Sequence, residues 1–452
     1  MTWHIPLSDL DYGPEEAAAV QRVLQSKWLS MGPETKAFEE EFAAHIGVKH
    51  AIAVANGTAA LHLAYLALGI GPGDAVIQPT VNFVAAANMT RTVGATPVFA
   101  DINSLDEPTI SPESISALLS TLNSQLSTVR PKALVVMHYG GYCCRMAEIQ
   151  QLCRQHGLAL IEDACHAVGA RATLTSPISH LPSPAVAAGS LGDIGCFSFF
   201  SNKNMATGEG GMVVTNRDDL AEHLRLLRSH GMTSLTWDRH RGHASSYDVI
   251  ASGFNYRLDD LRSALGREQL NKLERNNQRR RELTTLYWRN LAPLEQRGWV
   301  LPFRRMFMED GRSKVEDEKS SSQRPSPTAN SGPLRSCPDL PSSISHLPSS
   351  CAAHLLAVVA PDEPTRLATA HALKAAGVQT SLHYPSIHRF KAFAGSGPGQ
   401  LELSESYACR VITLPLFPTM STGQVEEVCS LIRKAAVADG ARQLHGRAGA
   451  LV

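Results

Sequence analysis

One stretch of the sequence, residues 192–216, limits what this chain can fold into. It reads GDIGCFSFFSNKNMATGEGGMVVTN. Two short β-rich runs, at 196–200 and 211–215, enclose a loop that carries a single lysine, Lys203, and a glycine turn. Lysine is normally found on solvated surfaces, so its place between two buried strands is unusual. A partly desolvated lysine loses its proton more easily and can react covalently with a carbonyl group. The stretch therefore predicts a reactive lysine on a rigid loop.

The same stretch resembles the cofactor-lysine motif of the DegT/DnrJ/StrS sugar aminotransferases, which are fold-type-I enzymes that use pyridoxal phosphate (PLP). Ser198 stands five residues before Lys203, and Gly-Glu-Gly-Gly follows at 208–211. The resemblance implies that Lys203 holds PLP covalently and that the Ser198 hydroxyl binds the cofactor phosphate. Relatives that use PLP for sugar dehydration carry histidine at this position, so the lysine favours transamination.

Length and composition are those of an ordinary enzyme of two or three domains. Lys+Arg and Asp+Glu number 42 each, so the formal net charge is zero and no nucleic acid or membrane partner is expected. No apolar run could span a bilayer, and the N-terminus does not resemble a signal peptide. The nine cysteines include no CxxC pair, which indicates reduced thiols and no metal site. We expect a cytoplasmic protein.

Buried strands alternate with helices from residue 50 to residue 216, which predicts an α/β fold with a mostly parallel sheet. The first strand runs into Gly57, Thr58 and Ala59 at the start of a helix, where free N–H groups and the helix dipole favour an anion. Taken alone, this turn is more typical of a plain strand-to-helix connection with a threonine cap. The resemblance implies that the three residues bind the PLP phosphate.

Three more candidate residues follow predicted strands. Asp163 ends the apolar run LALIED, and open α/β sheets bind ligands at the carboxyl ends of their strands. PLP needs a carboxylate beside its ring nitrogen, and the resemblance implies that Asp163 supplies it. By the same resemblance, His166 hydrogen-bonds the ring hydroxyl and Phe83 stacks on the pyridine ring. From the residues alone, Asp163 could instead cap a helix, and His166 and Phe83 could be core residues.

The domain organisation follows from the same resemblance. We expect a large PLP-binding domain at 1–255 and a smaller C-terminal α/β domain at 256–452. Each contains a predicted insertion, at about 172–190 and at about 308–350. The second insertion is rich in Ser, Pro and charge, a composition that predicts disorder. The hexapeptide ISHLPS occurs once in each insertion.

Three residues are assigned to the site by resemblance alone. Asn255, in the run GFNYR, resembles a residue that reaches the PLP phosphate of the neighbouring subunit, which implies a homodimer with shared active sites. An asparagine here could also cap the helix that follows. Ser30 and His383 resemble positions near the sugar substrate, although the loop around Ser30 could be a simple connection between helices.

The expected function is that of a PLP-dependent aminotransferase. It would move an amino group from an amino acid, expected to be glutamate, to a keto group of a nucleotide-linked deoxy-sugar for amino-sugar or polysaccharide biosynthesis. Three alternatives remain open at this stage. The chain could be a cyclitol aminotransferase, a non-catalytic PLP-binding sensor, or a PLP lyase with a mobile catalytic cysteine, for which Cys337 and Cys351 are the candidates.

Overall fold

The computed structural model describes residues 3–122, 128–172, 185–234, 246–308, 350–395 and 401–448. The strands are β1 (His50–Val54), β2 (Asp74–Pro79), β3 (Thr96–Ala100), β4 (Arg130–Met137), β5 (Ala159–Asp163), β6 (Arg171–Ala172), β7 (Val186–Ala187), β8 (Ile194–Ser198), β9 (Gly211–Thr215), β10 (Leu356–Val359) and β11 (Val411–Leu414). The α-helices are α1 (Pro14–Ser26), α2 (Pro33–Ile46), α3 (Gly57–Ala67), α4 (Ala85–Thr92), α5 (Pro112–Leu122), α6 (Met146–His156), α7 (Asp218–Arg228), α8 (Asp260–Leu291), α9 (Arg304–Met308), α10 (Glu363–Ala375), α11 (Glu402–Arg410) and α12 (Thr422–Ala448).

Seven strands form the central sheet, in the order β1-β9-β8-β5-β4-β2-β3. Strand β9 runs antiparallel to both of its neighbours, and the other pairs are parallel. The apolar run at 133–137 forms the second half of β4, and all five of its residues are buried. Burial on both faces explains why the run is apolar at every position. The predicted α/β fold with a mostly parallel sheet is confirmed.

Helices cover both faces of this sheet. Because side chains alternate along a strand, Val76 and Val135 pack with α3 in one core, while Ile77 and Val136 pack with α5 and α6 in another. A further core, on the side of β9, joins α2 to α8.

The parallel strands point their carboxyl ends to one edge of the sheet, and this edge positions the candidate site. Strands β1, β2, β4, β5 and β8 end there at Val54, Pro79, Met137, Asp163 and Ser198. The turn that follows each strand therefore enters the same region, although the turns are far apart in sequence.

The C-terminal part contains a second, two-stranded antiparallel sheet, β10–β11. It packs with the C-terminal half of α8 in one core, which also includes Tyr139 and Tyr142 from the turn after β4. The predicted small α/β unit therefore lies directly against the carboxyl edge of the large sheet. Its predicted boundary at residue 255 stays a prediction.

Most of both predicted insertions, residues 173–184 and 309–349, lies outside the described residues. Strand β7 belongs to the described part of the first insertion, and it pairs antiparallel with β6, which ends at residue 172. Among the described helices, none is both long and apolar enough to cross a membrane.

The second insertion is predicted to be dispensable. Phe307 and Ser350 line the same small cavity, so the two ends of the segment lie close together and a short linker can join them. Replacing residues 311–348 with a short Gly/Ser linker should change the free energy of unfolding by less than about 2 kcal/mol, because loop closure depends only weakly on length. Urea unfolding of the two proteins measures this. A variant with the segment scrambled at constant length is the control, and loss of soluble protein on deletion would show that the segment is structural.

Candidate active site

A cavity of about 430 Å³ lies at the carboxyl edge of the sheet. Its lining brings together eight of the residues that the sequence predicted, which are Gly57, Thr58, Phe83, Asp163, His166, Ser198, Lys203 and His383. They come from the turns after β1, β2, β5 and β8 and from the C-terminal part. The other three predicted residues, Ser30, Ala59 and Asn255, are not in the lining.

The loop that carries Lys203 is held by hydrogen bonds on both sides of the lysine. The Lys203 backbone N–H donates to the carbonyl of Phe200 at 2.8 Å. The Nδ2 of Asn204 donates to Oδ1 of Asn277 in α8 and to the carbonyl of Ala352, each at 2.7 Å. The catalytic candidate is therefore supported by parts of the chain that lie far from it in sequence.

The environment of Lys203 makes its ammonium group more acidic than that of an ordinary lysine. Burial lowers the pKa of Lys203 below its usual value of 10.5, and negative charge on Cys165 or Asp163 acts in the opposite direction. Burial also raises the pKa of the Cys165 thiol well above its usual range, so this thiol stays protonated and Asp163 is the effective counter-charge. A lysine of this kind is suited to proton transfer and to covalent chemistry.

An anion cradle forms where α3 begins. The N-cap residue Asn56 accepts a hydrogen bond from the Ala59 N–H at 2.8 Å, so that amide is already engaged. Gly57 and Thr58 precede it in the first turn and line the cavity, with Ser198 beside them. A Cβ on Gly57 would lie 2.9 Å from the Ser198 Cβ, so only glycine permits this approach. Two first-turn amides and a hydroxyl suit a phosphate group.

Asp163 is the last residue of β5, and His166 lies in the turn that follows. Asp163 Oδ1 accepts from the Cys165 N–H at 3.2 Å, and no helix starts in this turn, so the helix-cap alternative does not apply. Nδ1 of His166 accepts from the Gly140 N–H at 3.4 Å, and its Nε2 lies 2.9 Å from the Tyr384 hydroxyl. Burial, with the nearby Lys203 charge, holds the pKa of His166 well below its usual range, so the ring is neutral.

Phe83 and His383 border the cavity from opposite parts of the chain. Phe83 is 55% exposed, so it is not a core residue, and its ring centroid lies 6.2 Å from that of Tyr384. Nδ1 of His383 lies 3.0 Å from Oγ1 of Thr413. Burial and the charge of Lys203 lower the pKa of His383 to about 4, so it is neutral at pH 7.

Ser30 and Asn255 are both exposed and outside the cavity lining. Asn255 does not cap the long helix, because Asp259 does so by accepting from the Arg262 N–H at 2.9 Å. Asn255 instead pairs through its backbone with Ser229. The capping alternative for Asn255 is therefore wrong.

The cavity also contains residues that were not assigned from the sequence, among them Asn82, Cys165, Asn202, Glu209 and Tyr384. Asn82 precedes the assigned Phe83 and Tyr384 follows the assigned His383 in the sequence. This adjacency is the sequence feature from which their place in the cavity could have been predicted. Among the described residues, no group of three or more His, Cys, Asp or Glu side chains could hold a metal ion.

The lyase alternative needs an accessible cysteine. Cys351 is fully buried, burial raises its pKa to about 12, and it does not line the cavity. Cys337 lies outside the described residues. Cys165 lines the cavity but has a strongly raised pKa. Neither Cys351 nor Cys165 therefore combines access to the cavity with the acidity that nucleophilic chemistry needs.

The residues present fit PLP. The cavity combines a lysine of lowered pKa, a strand-end carboxylate and a glycine-dependent anion cradle. Nδ2 of Asn82, in the same lining, is a buried donor with no partner among the described residues, as expected where a ligand supplies acceptor oxygens. Together with the mostly parallel α/β sheet, this donor set defines a PLP-dependent enzyme of fold type I.

The sequence matches the model of the DegT/DnrJ/EryC1/StrS aminotransferase family at residues 11–304 and 319–433. The chain belongs to this family, and it is a PLP-dependent aminotransferase.

Individual relatives agree with this assignment. The chain is 34% identical to the spore coat polysaccharide biosynthesis protein SpsC of Bacillus subtilis over 429 residues, 93% of this chain and 94% of that protein. The aminotransferase TlmJ from Streptoalloteichus hindustanus is 30% identical with a TM-score of 0.74, over 97% of this chain and 100% of TlmJ. DesI, solved in the presence of its TDP-sugar product, is 28% identical with a TM-score of 0.72, over 96% and 92% of the two chains.

The lowered pKa of Lys203 predicts a pH-dependent cost to stability. The Lys203 amine binds its proton less tightly in the folded protein than in the unfolded protein, so the charged amine destabilises the fold. This cost is complete at a pH below the folded-state pKa of Lys203 and disappears as the pH approaches the unfolded-state pKa. We expect Lys203→Met, without cofactor, to unfold at a higher urea concentration than wild type at pH 7. The gain should shrink as the pH rises towards the usual lysine value of 10.5.

The control for this experiment is Lys374→Met, which replaces an exposed lysine on α10 and should give no comparable gain. A stability difference for Lys203→Met that stays constant from pH 7 to pH 10.5 would contradict the assignment of a desolvated amine.

Proposed function

We propose that this chain transfers an amino group from an amino acid, with glutamate as the expected donor, to a keto group on a nucleotide-linked sugar. The observation that carries the proposal is the desolvated Lys203 amine in one cavity with Asp163 and the anion cradle. The sugar substrate is supported by the similarity to SpsC, named for polysaccharide biosynthesis, and to DesI, solved with a TDP-sugar product.

The residues that would hold PLP follow from the cavity. Gly57, Thr58 and Ser198 would bind the phosphate, with Ala59 only completing the turn through its bond to Asn56. Asp163 would lie beside the ring nitrogen, where its charge keeps that nitrogen protonated. Phe83 would cover one face of the ring, and His166 would lie next to the ring hydroxyl. Bound PLP supplies an electron sink that stabilises negative charge on the α-carbon of the substrate.

Lys203 would perform the proton transfers. Because burial lowers its pKa, the free amine is more often neutral than that of an ordinary lysine, so it can take a proton from the α-carbon of the amino donor. The nearby Asp163 carboxylate then stabilises the resulting ammonium. The same amine returns a proton when the keto sugar is aminated. Neutral His383 could hydrogen-bond the sugar without adding charge.

We also propose that the protein is a homodimer with shared active sites. Asn255 is exposed and does not line the cavity of its own chain. Tyr247, Val249 and Ile250, a few residues earlier, are apolar and 55–61% exposed, which is typical of a surface that another protein covers. Asn255 and Ser30 would then complete the phosphate and substrate sites of the partner.

The first prediction of this proposal concerns Lys203. Borohydride reduction of the enzyme with PLP, followed by peptide mass mapping, should find the pyridoxyl group on Lys203. Lys203→Ala should lower the rate of amino transfer from glutamate by at least about 10³-fold, because it removes the group that moves the proton. The exposed Lys374→Ala variant is the control. A pyridoxyl group on another lysine would disprove the site, and labelling of Lys203 without turnover on any keto sugar would favour the sensor.

The second prediction concerns the shared site. Lys203→Ala and Asn255→Ala chains should each be defective when alone. In a mixed dimer one site carries both lesions and the other carries none. Refolding the two chains together should recover up to about a quarter of wild-type activity when half of the dimers are mixed. If mixed dimers form and no activity returns, Asn255 acts within its own chain.

A further inference from the structure

A much smaller cavity, distinct from the one lined by Phe307 and Ser350, adjoins the active-site cavity. Its volume is about 20 Å³, and Asn202 and His383 line both cavities. His354 lines only the small cavity and is 3% exposed. Asn202 Oδ1 and His354 Nε2 are buried and have no hydrogen-bond partner among the described residues. Unpaired buried polar atoms are rare in native proteins, so this pair needs a physical explanation.

The hydrogen bonds around His354 determine which of its nitrogens carries the proton. Asn277 Nδ2 donates to the carbonyl of Val168 at 2.9 Å, so its Oδ1 is free to accept from Asn204 Nδ2 at 2.7 Å. Asn204 Nδ2 also donates to the carbonyl of Ala352, so Asn204 Oδ1 is an acceptor. It lies 2.8 Å from His354 Nδ1, which must therefore be the donor.

A neutral His354 ring has only one N–H, so its Nε2 is a bare acceptor. Burial, followed by the charges of Lys203 and Arg280 and by His383, holds the pKa of His354 well below its usual range. The ring is therefore neutral at physiological pH. His354 and Asn202 line the same small cavity. Each has a buried acceptor, Nε2 in His354 and Oδ1 in Asn202, for which the described residues supply no donor.

A water molecule supplies what these two atoms lack. It has two hydrogens to donate, and a cavity of this volume has room for about one water. We propose that a single buried water occupies the small cavity, donates to His354 Nε2 and Asn202 Oδ1, and makes His354 a positioning residue for Lys203. The part about Lys203 rests on the function proposed above.

The consequence is that one imidazole holds both neighbours of the reactive lysine. His354 bonds Asn204 directly on one side of Lys203 and Asn202 through the water on the other. His354 lies just before β10, so the C-terminal part of the chain keeps the lysine loop in place. A neutral histidine suits this position because it donates at one edge of the ring and accepts at the other.

Four variants separate the parts of this arrangement. His354→Asn keeps a donor near the position of Nδ1 and removes the acceptor at Nε2, whereas His354→Leu removes both. Asn202→Ala removes the second acceptor without changing the core around β10. His62→Asn is the matched control, because His62 is also buried and hydrogen-bonded, to Tyr256, but lines neither cavity.

The experiment uses the full chain without cofactor and has two readouts. The first is a high-resolution crystal structure, in which wild type should show one water within hydrogen-bond distance of both acceptors. The second is the pH dependence of acetic anhydride labelling of Lys203, followed by peptide mass mapping. Loosening the loop hydrates the amine, so the labelling midpoint should rise by about half a unit in His354→Asn and Asn202→Ala and about one unit in His354→Leu. The shifts of His354→Asn and Asn202→Ala should not add in the double variant, because both act through the same water.

An empty cavity in the wild-type structure would overturn the proposal. So would an unchanged Lys203 midpoint in Asn202→Ala and His354→Asn, or an equal shift in His62→Asn. These results are independent of the proposed function, since neither readout requires PLP. If borohydride reduction instead places the pyridoxyl group on another lysine, the proposed role of Lys203 in amino transfer is disproved. The crystal structure and the labelling midpoints still test whether the water and His354 hold the lysine loop.

Discussion

The burial of the Lys203 amine near the Asp163 carboxylate is the interaction on which the rest of the site depends. Taking an amine out of water costs free energy, so a rigid framework must hold it there. Asn204 provides much of that framework, because its side chain is hydrogen-bonded to Asn277 in the long helix and to His354 before β10. Three distant parts of the chain thus meet beside the lysine, in an environment whose burial lowers the pKa of the Lys203 amine.

The strand that carries Asp163 also anchors its neighbour in the sheet. Glu162 is fully buried, accepts from the N–H groups of Gly189 and Gly192, and lies 2.8 Å from His138 Nε2. These bonds tie β5 to the turn that leads into β8. Successive residues of a strand face opposite sides, so Glu162 can anchor the sheet while Asp163 lines the cavity. The two adjacent carboxylates therefore have separate tasks.

Much of the site could be predicted because each part is a strand followed by a characteristic turn. That pattern depends on neighbours in sequence, and parallel strands then bring the turns to one edge. Other roles could not be read in this way. Asn255 was also compatible with a helix cap, but Asp259 performs that task four residues later. From the residues alone, Phe83 was more typical of a core position, and only the fold shows that it is 55% exposed and lines the cavity.

By itself, the sequence determined the fold class, and it singled out Lys203, Asp163 and the Gly57 turn as candidate site residues, because local patterns of apolar runs and glycines mark them. Only the tertiary structure decided what holds these groups in place. Asn204 and His354 are 150 residues apart in the chain, yet their side chains are 2.8 Å apart. Burial and hydrogen-bond partnership between such residues arise from packing in the folded interior, and no local pattern of residues specifies them.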